Sequence, residues 1–383
     1  MMKENKQSTA CTQASPELSQ LIAQEIRNKG PISFERYMEL ALYQPNLGYY
    51  ERRPEILGKA GDFYTSVSTG PLFGKLLAEQ LLSWSGQITW QERWVWIEAG
   101  AHAGTLARDI LEHVAPLELP HPLEYHIIEP SPTRRAWQEA TLAEFPQVKW
   151  KRSLADYPEP LAAILFSNEL LDAFPCRLFE KEACGNWSEL LVCQSDEPPG
   201  LQFSKQEAPL PKALKPLASE ELPQGYRLEH SASAAQWWHD ACSLLKQGLI
   251  LTLDYGVTNA ELAGGLKPAS TVRAIRAHRL LADWLENPGQ TDLSSAVHWD
   301  ELIQIGEALG FKTVKLTSQE RFLMGIITEL QSRERIRLAT PAEEEIPPED
   351  EGKLVLNPQA LKTLIHPQYL GHSFQALLQT RGL

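Results

Sequence analysis

Apolar residues recur along the chain with two periods, and the stretches over which each period holds define the elements. From Pro16 onward, Leu18, Leu21, Ile22 and Ile26 fall on one face at three- and four-residue spacing, which predicts a helix. Asn28-Lys29-Gly30-Pro31 closes it, with glycine past the end and proline after. Ser33 is placed to cap a second helix carrying Phe34, Tyr37, Met38 and Leu42, which stops before Pro45. Asn46-Leu47-Gly48 reads as a turn. Residues 51–70, rich in Gly, Ser and Thr, predict a loop, and a helix follows at about 71–84.

From there strands and helices alternate. Arg93–Glu98 is a short apolar strand, followed by a small-residue turn and a helix through Leu111. Glu124–Glu129 is a second strand, with a helix from Ser131 to about Phe145; Gln147–Lys151 and Leu161–Ser167 are a third and fourth. Such alternation implies βαβ units and a parallel sheet. Arg177–Glu182 and Ser188–Gln194, on either side of Cys184-Gly185-Asn186, predict a β-hairpin that interrupts the pattern. A Pro- and Lys-rich stretch runs to about 224, then a helix over 231–247 leads to strand Gly248–Asp254. Residues 256–298 form a long insertion with turns at Gly264-Gly265 and Pro288-Gly289; a loop of that length in a compact domain is functional or disordered. A helix over 299–309, a strand Phe311–Thr317 and a terminal strand Phe374–Gln379 complete the fold, with 342–352 a solvated acidic loop. The organisation expected is a disordered tail (1–14), an N-terminal helical region (15–88), a first core half (89–175), an inserted hairpin subdomain (176–230) and a second core half (231–383).

Charge and composition narrow the function classes. A formal net charge of −13 argues against a primary nucleic-acid binder, which carries a basic face. The five cysteines are odd in number and show no CxxC pair, so reduced thiols are expected, and the ten histidines show no HExxH, so no metal is assigned. The N-terminus lacks the apolar core of a secretory signal and, without arginine, makes a poor mitochondrial presequence. No apolar run is long enough to span a bilayer. These features predict a cytoplasmic protein without membrane insertion.

The turn after the first strand carries the most chemical information. It reads Glu98-Ala99-Gly100-Ala101-His102-Ala103-Gly104-Thr105, at the carboxyl edge where open α/β sheets bind ligands. Its spacing is not the GxGxxG that a pyrophosphate requires. A small-residue turn with an acid before it, able to meet an ammonium group, and a second acid, Glu129, ending strand two and able to bind ribose hydroxyls, suits S-adenosylmethionine. Gly104 suits close packing of helix on strand.

The chain also resembles the MidA family of methyltransferases from about residue 31 to the end. The blocks that carry the resemblance are Ile32–Met38, Pro45–Tyr50, Gly61-Asp62-Phe63-Tyr64-Thr65-Ser66, Phe73-Gly74, the turn above, Glu129-Pro130-Ser131, Ser167–Pro175, Asp254-Tyr255-Gly256, Thr271–Ala274, His278 and Asn287–Gly289 with Asp292-Leu293. The resemblance implies a Rossmann-like α/β fold of the class I methyltransferase type, with a seven-stranded sheet, an N-terminal helical lid and an inserted α+β subdomain. It implies S-adenosyl-L-methionine as cofactor, with Asp62, Thr65 and Ser66 in its neighbourhood. For the mitochondrial members it implies arginine methylation on a subunit of respiratory complex I. Two departures stand out. The turn has His102 and Ala103 where the family has Gly-x-Gly-x-Gly, and Thr65-Ser66-Val67-Ser68 stands where Thr-Ser-Pro-Glu is usual. A histidine at a position of positive φ carries strain.

Asn168 and Glu169 follow strand four at the cofactor edge. A carboxylate there can hold a guanidinium bidentately, with Asp172 as helper, much as the acidic loop after strand four does in protein arginine methyltransferases. Asp254 and Tyr255 end strand five at the same edge and, with Arg273 and His278 of the insertion, are candidates to wall the substrate pocket. Two readings stay open at this point: a protein arginine methyltransferase acting on a protein partner, and a binding or assembly protein that keeps the fold with weakened catalysis, which His102 and Val67-Ser68 motivate. An NAD-dependent oxidoreductase is disfavoured by the turn. Homodimerisation through the inserted hairpin is left open.

Overall fold

The computed structural model describes residues 16–52, 66–90, 93–195, 200–218, 222–263, 270–338, 353–366 and 374–383. The expected tail, Asp62, Thr65, the turn at Gly264-Gly265 and the acidic loop 342–352 lie outside them.

Seven strands form the central sheet of the described residues: β1 (Trp94–Ala99), β2 (Leu123–Ile128), β3 (Val148–Lys151), β4 (Leu161–Asn168), β5 (Leu245–Asp254), β6 (Lys312–Ser318) and β7 (Gln375–Arg381). Their spatial order is β6-β7-β5-β4-β1-β2-β3. β1 to β5 run parallel, and β7 lies antiparallel to both β5 and β6. All six residues of β1 and all but two of β5 are buried, as expected of strands covered on both faces. The order reverses between β1 and β4, so their carboxyl ends open the crevice in which such sheets bind ligands.

The α-helices of the described residues are α1 (Pro16–Lys29), α2 (Phe34–Tyr43), α3 (Leu72–Ser85), α4 (Thr105–Val114), α5 (Pro132–Thr141) and α6 (Ala232–Leu244), followed by Asn259–Ala263, Trp299–Ala308, Gln319–Ser332 and Pro358–Ile365. Ser33, Ser131, Ser231 and Ser318 each accept a backbone N–H of the third residue on, which fixes four helix starts. On one face of the sheet α3, α4 and Gln319–Ser332 bury Phe73, Leu77, Ile110 and Leu323; on the other α6 and Trp299–Ala308 bury Trp238 and Trp299. A second layer stands apart from this core. There α1 and α2 pack through Leu18, Ile22, Phe34 and Met38 against Leu178, Leu190 and Val192 of the inserted sheet and Ala274 and Leu293 of the long insertion.

The hairpin forms as expected, Arg177–Lys181 antiparallel to Trp187–Gln194. Its sheet is larger than the alternation suggests, because Leu201–Glu207 and Arg227–His230 add to it and Ile32–Ser33 pairs with its edge. The insertion contains a three-stranded sheet (Arg273–Arg276, Arg279–Leu280, Asp292–Ser294), so it is built rather than looped. β5 starts three residues earlier than expected, because α6 stops at Leu244 and an irregularity between Leu245 and Gln247 lets the chain enter the sheet at once. Helix Gln319–Ser332, which the sequence reading passed over, has its apolar residues Phe322, Leu323, Ile326, Ile327 and Leu330 at helical spacing.

Gly248, inside β5, has φ +133°, and a Cβ there would lie 1.9 Å from the Ala163 carbonyl oxygen of β4. Replacing Gly248 with alanine is expected to cost about 3 kcal/mol through strain and overpacking at the sheet centre. The midpoint of denaturant unfolding checks this; an unchanged midpoint contradicts it.

Candidate active site

The carboxyl ends of β1, β2 and β4 open into a cleft of about 1500 Å³. Its floor is the turn after β1. Gly100 sits at φ +80°, where a Cβ would lie 2.9 Å from Leu170 Cδ1, so the turn and the loop after β4 touch only because that position is glycine. Gly104, at φ +83°, begins α4 and packs beneath Leu142 and Gln138 of the neighbouring helix region, behind the wall that Thr105 lines. His102 takes φ +46°, the left-handed conformation in which histidine is strained. Its ring lies 6.0 Å from that of Trp137. Its Nε2 is buried without a hydrogen-bond partner among the described residues, and burial, with Arg134 adding to it, pushes its pKa down to about 4, so the ring is neutral.

Four of the carboxylates that line this cleft stand in different environments. Glu98 is 2% exposed, and burial raises its pKa to about 7 against the hydrogen bond that Tyr125 Oη donates at 2.5 Å. Glu129, at the end of β2, receives the Ser131 N–H at 2.8 Å, the Arg134 guanidinium at 2.8 Å and the Gln138 amide at 2.9 Å. Gln138 also donates to the His102 carbonyl at 2.9 Å and accepts from Trp150 Nε1 at 3.0 Å, so it ties the turn, the acid and β3 together. Glu169 sits at φ +52°, and its Oε1 accepts from the Ser66 backbone at 3.2 Å and from Asn168 Nδ2 at 3.2 Å. Burial raises its pKa to about 8. A non-glycine residue held in that backbone conformation is strained. Asp172 follows in the same wall; its carboxyl is pushed well above the usual range by burial and by Asp254, Asp292 and Glu169.

Of the residues expected at the site, Glu98, Gly100, His102, Thr105, Glu129, Asn168, Glu169 and Asp172 line the cleft. Ser66 stands just behind, buried, donating its hydroxyl to Gln319 at 2.9 Å. Asp254 is fully buried beneath the wall, where one oxygen accepts the backbone N–H groups of Leu170, Leu171 and Asp172 at 3.2, 2.7 and 3.3 Å. It shapes the acidic loop from below. Tyr255, Arg273 and His278 do not line the cleft: Arg273 stacks on the Tyr255 ring at 3.9 Å, and both Arg273 and His278 are exposed. The cleft instead recruits residues that the reading of the sequence left out. Asp292 of the insertion receives the Tyr50 hydroxyl at 2.7 Å, Tyr43 donates to the Ala173 carbonyl at 2.8 Å, and Glu51 and Arg134 close the side next to Glu129. Arg134 had a signal: a cation in the first turn of a helix opposes the macrodipole unless a carboxylate holds it.

These residues fit the cofactor that the turn suggests. Glu98 is a desolvated carboxyl with no cation bonded to it among the described residues, a fitting counterpart for an ammonium group. Of the two Glu129 oxygens, Oε2 carries only the Gln138 amide and the long arm of Arg134 Nε at 3.1 Å, which leaves acceptor capacity for a ribose hydroxyl.

A sheet of this strand order, with a small-residue turn after its first strand and acids ending its first and second, defines a Rossmann-like S-adenosylmethionine-dependent methyltransferase. Residues 76–317 match the family described as "Putative S-adenosyl-L-methionine-dependent methyltransferase", and the chain belongs to that family. Protein arginine methyltransferase NDUFAF7 homolog, mitochondrial, of Drosophila melanogaster is 27% identical over 86% of this chain and 79% of its own length. The Danio rerio protein arginine methyltransferase NDUFAF7, mitochondrial, is 26% identical over 97% and 88%. A methyltransferase-type protein from Burkholderia thailandensis, crystallised with S-adenosyl-homocysteine, superposes with a TM-score of 0.80 at 28% identity, covering 96% of this chain and 92% of that one. The cofactor is S-adenosylmethionine. The named relatives are mitochondrial, which overturns the cytoplasmic expectation; an N-terminus without arginine does not support that inference.

Were Glu98 to meet the cofactor's ammonium group it would ionise, and binding would release its proton. Affinity for S-adenosylhomocysteine is expected to fall about tenfold per pH unit below about 7 and to level off above it. Calorimetry over this range checks the slope, and a Glu98→Gln variant with the same slope contradicts the assignment.

Proposed function

We propose that this protein methylates an arginine side chain of a protein partner, with a subunit of a complex I-type respiratory assembly as the partner that the family resemblance indicates. The observation that carries this reading is the wall facing the turn: Glu169, Asp172 and Asp292 line the same cleft as Asn168, whose Oδ1 is buried without a donor among the described residues. Acceptors crowded in this way favour a ligand with several N–H donors and a positive charge, and a guanidinium has five donors in a planar fork. The naming of the relatives as protein arginine methyltransferases agrees with it.

When bound, S-adenosylmethionine supplies an electrophilic methyl group. The chain's own residues do the rest by positioning and charge. Glu169 accepts two guanidinium N–H groups and so turns the remaining nitrogen toward the turn side of the cleft. Asn168 Oδ1 and Asp172 take further N–H groups, and Asp292, held by Tyr50, closes the wall. Once the attacking nitrogen has gained a substituent it must lose a proton, and Asp172, on the same wall and free of the two N–H groups that Glu169 holds, accepts it. The stacked rings of Tyr43 and Tyr50, 5.6 Å apart, line the same cleft.

A Glu169→Gln variant keeps the shape and loses the charge. Its rate of methyl transfer to protein arginine is expected to fall at least about 100-fold, while its affinity for S-adenosylhomocysteine changes by less than about threefold. Retention of the wild-type rate would remove Glu169 from the mechanism. In the wild type the rate should rise with pH through about 8 as Glu169 ionises.

A further inference from the structure

Beside the turn, two carboxylates from distant parts of the chain share one guanidinium. Glu51 ends the short helical turn Tyr49–Glu51, which follows α2; Glu129 ends β2; Arg134 is the third residue of α5. Arg134 reaches Glu51 Oε1 at 3.0 Å and Glu129 Oε1 at 2.8 Å. The second oxygen of Glu51 accepts the Ser131 hydroxyl at 2.9 Å, and that same hydroxyl caps α5 through the Arg134 N–H at 3.2 Å. The three ionic side chains are 7%, 2% and 12% exposed, and the Arg134 guanidinium also lies 5.9 Å from the Tyr43 ring of α2. All of them line the cleft.

We infer that Arg134 is a positioning residue for the ribose-binding carboxylate, and that by sharing it with Glu51 the protein ties the N-terminal layer to the cofactor, so that the Glu51–Arg134 bond sets how long the cofactor stays bound. The geometry leaves Glu129 no independent orientation. A guanidinium shared by two buried carboxylates cannot leave either one without stranding that carboxylate's charge. Glu129 therefore meets the ribose in the orientation that Arg134 dictates, and Arg134 is itself anchored by Glu51. The N-terminal layer, whose core otherwise involves the inserted sheet and the insertion, thereby gains a direct bond to the wall that holds the cofactor. This inference rests on the cofactor and is independent of arginine as the methyl acceptor.

The test is the dissociation rate of S-adenosylhomocysteine from the full chain, measured by stopped-flow displacement, with the apo melting temperature recorded in parallel. Glu51→Gln is compared with Glu25→Gln, which breaks an ion pair inside the same layer, Glu25 with Arg36 at 3.0 Å, away from the cleft. Glu51→Gln is expected to speed dissociation about tenfold or more and to raise hydrogen exchange of residues 43–52 in the bound state, while Glu25→Gln leaves the dissociation rate within about twofold of wild type. Arg134→Lys, which keeps the charge but not the fork, is expected to weaken binding through both the association and dissociation rates, because Glu129 is misaligned before the cofactor arrives. If Glu51→Gln dissociates at the wild-type rate, or if Glu25→Gln speeds dissociation equally, the inference is overturned.

Discussion

One oxygen of Asp254 receives three consecutive backbone N–H groups, those of Leu170, Leu171 and Asp172. The rest of the site depends on this interaction. Consecutive amides converge on a point only when the chain bends tightly, and here the bend follows β4 at the level of the cofactor edge. Glu169, immediately before it, is driven to φ +52° and Asp172 is turned back toward Asp254. Asp254 is fully buried at the end of β5, so the central sheet itself sets the position of the acidic wall. The other oxygen takes the Tyr255 N–H at 2.8 Å, which leaves Asp254 committed to structure.

The carboxylates around the cleft divide their roles through their surroundings. Glu129 is bonded by a guanidinium, an amide and a backbone N–H and stays fixed as an acceptor. Glu98 has one phenol against a large desolvation and is poised to ionise when a cation arrives. Glu169 and Asp172 are both raised chiefly by burial, Asp172 by the Glu169 carboxyl as well, and both line the cleft. Carboxyls raised in this way give up their protons to meet a cationic ligand, so charge selects the ligand before shape does. His102 shows the converse: burial and Arg134 keep it neutral, and its ring rests against Trp137 in place of the usual glycine.

The central sheet was legible because its signals are local. Apolar runs separated by capped helices give β1 to β5, and the carboxyl ends of those strands place Glu98, Glu129 and Glu169 around one crevice without any knowledge of packing. What escaped notice depends on contacts across the chain. Leu201–Glu207 has a weak alternation of its own and exists as a strand because Trp187–Gln194 offers it an edge. Asp292 reaches the cleft because the insertion folds against α2 and meets Tyr50, some 240 residues away in sequence. Asp254 reads as a pocket residue from its place at a strand end, yet burial turns it toward the backbone. Arg273 and His278 sit on an exposed edge of the insertion, which no periodicity distinguishes from a cleft-facing one.

The most direct measurement is the identity of the residue that carries the label after the protein is incubated with methyl-labelled S-adenosylmethionine and mitochondrial polypeptides, followed by complete acid hydrolysis. The acidic wall predicts label in guanidino-methylated arginine. Label confined to lysine, to carboxyl esters that the hydrolysis releases, or to small molecules would contradict a guanidinium site at Glu169.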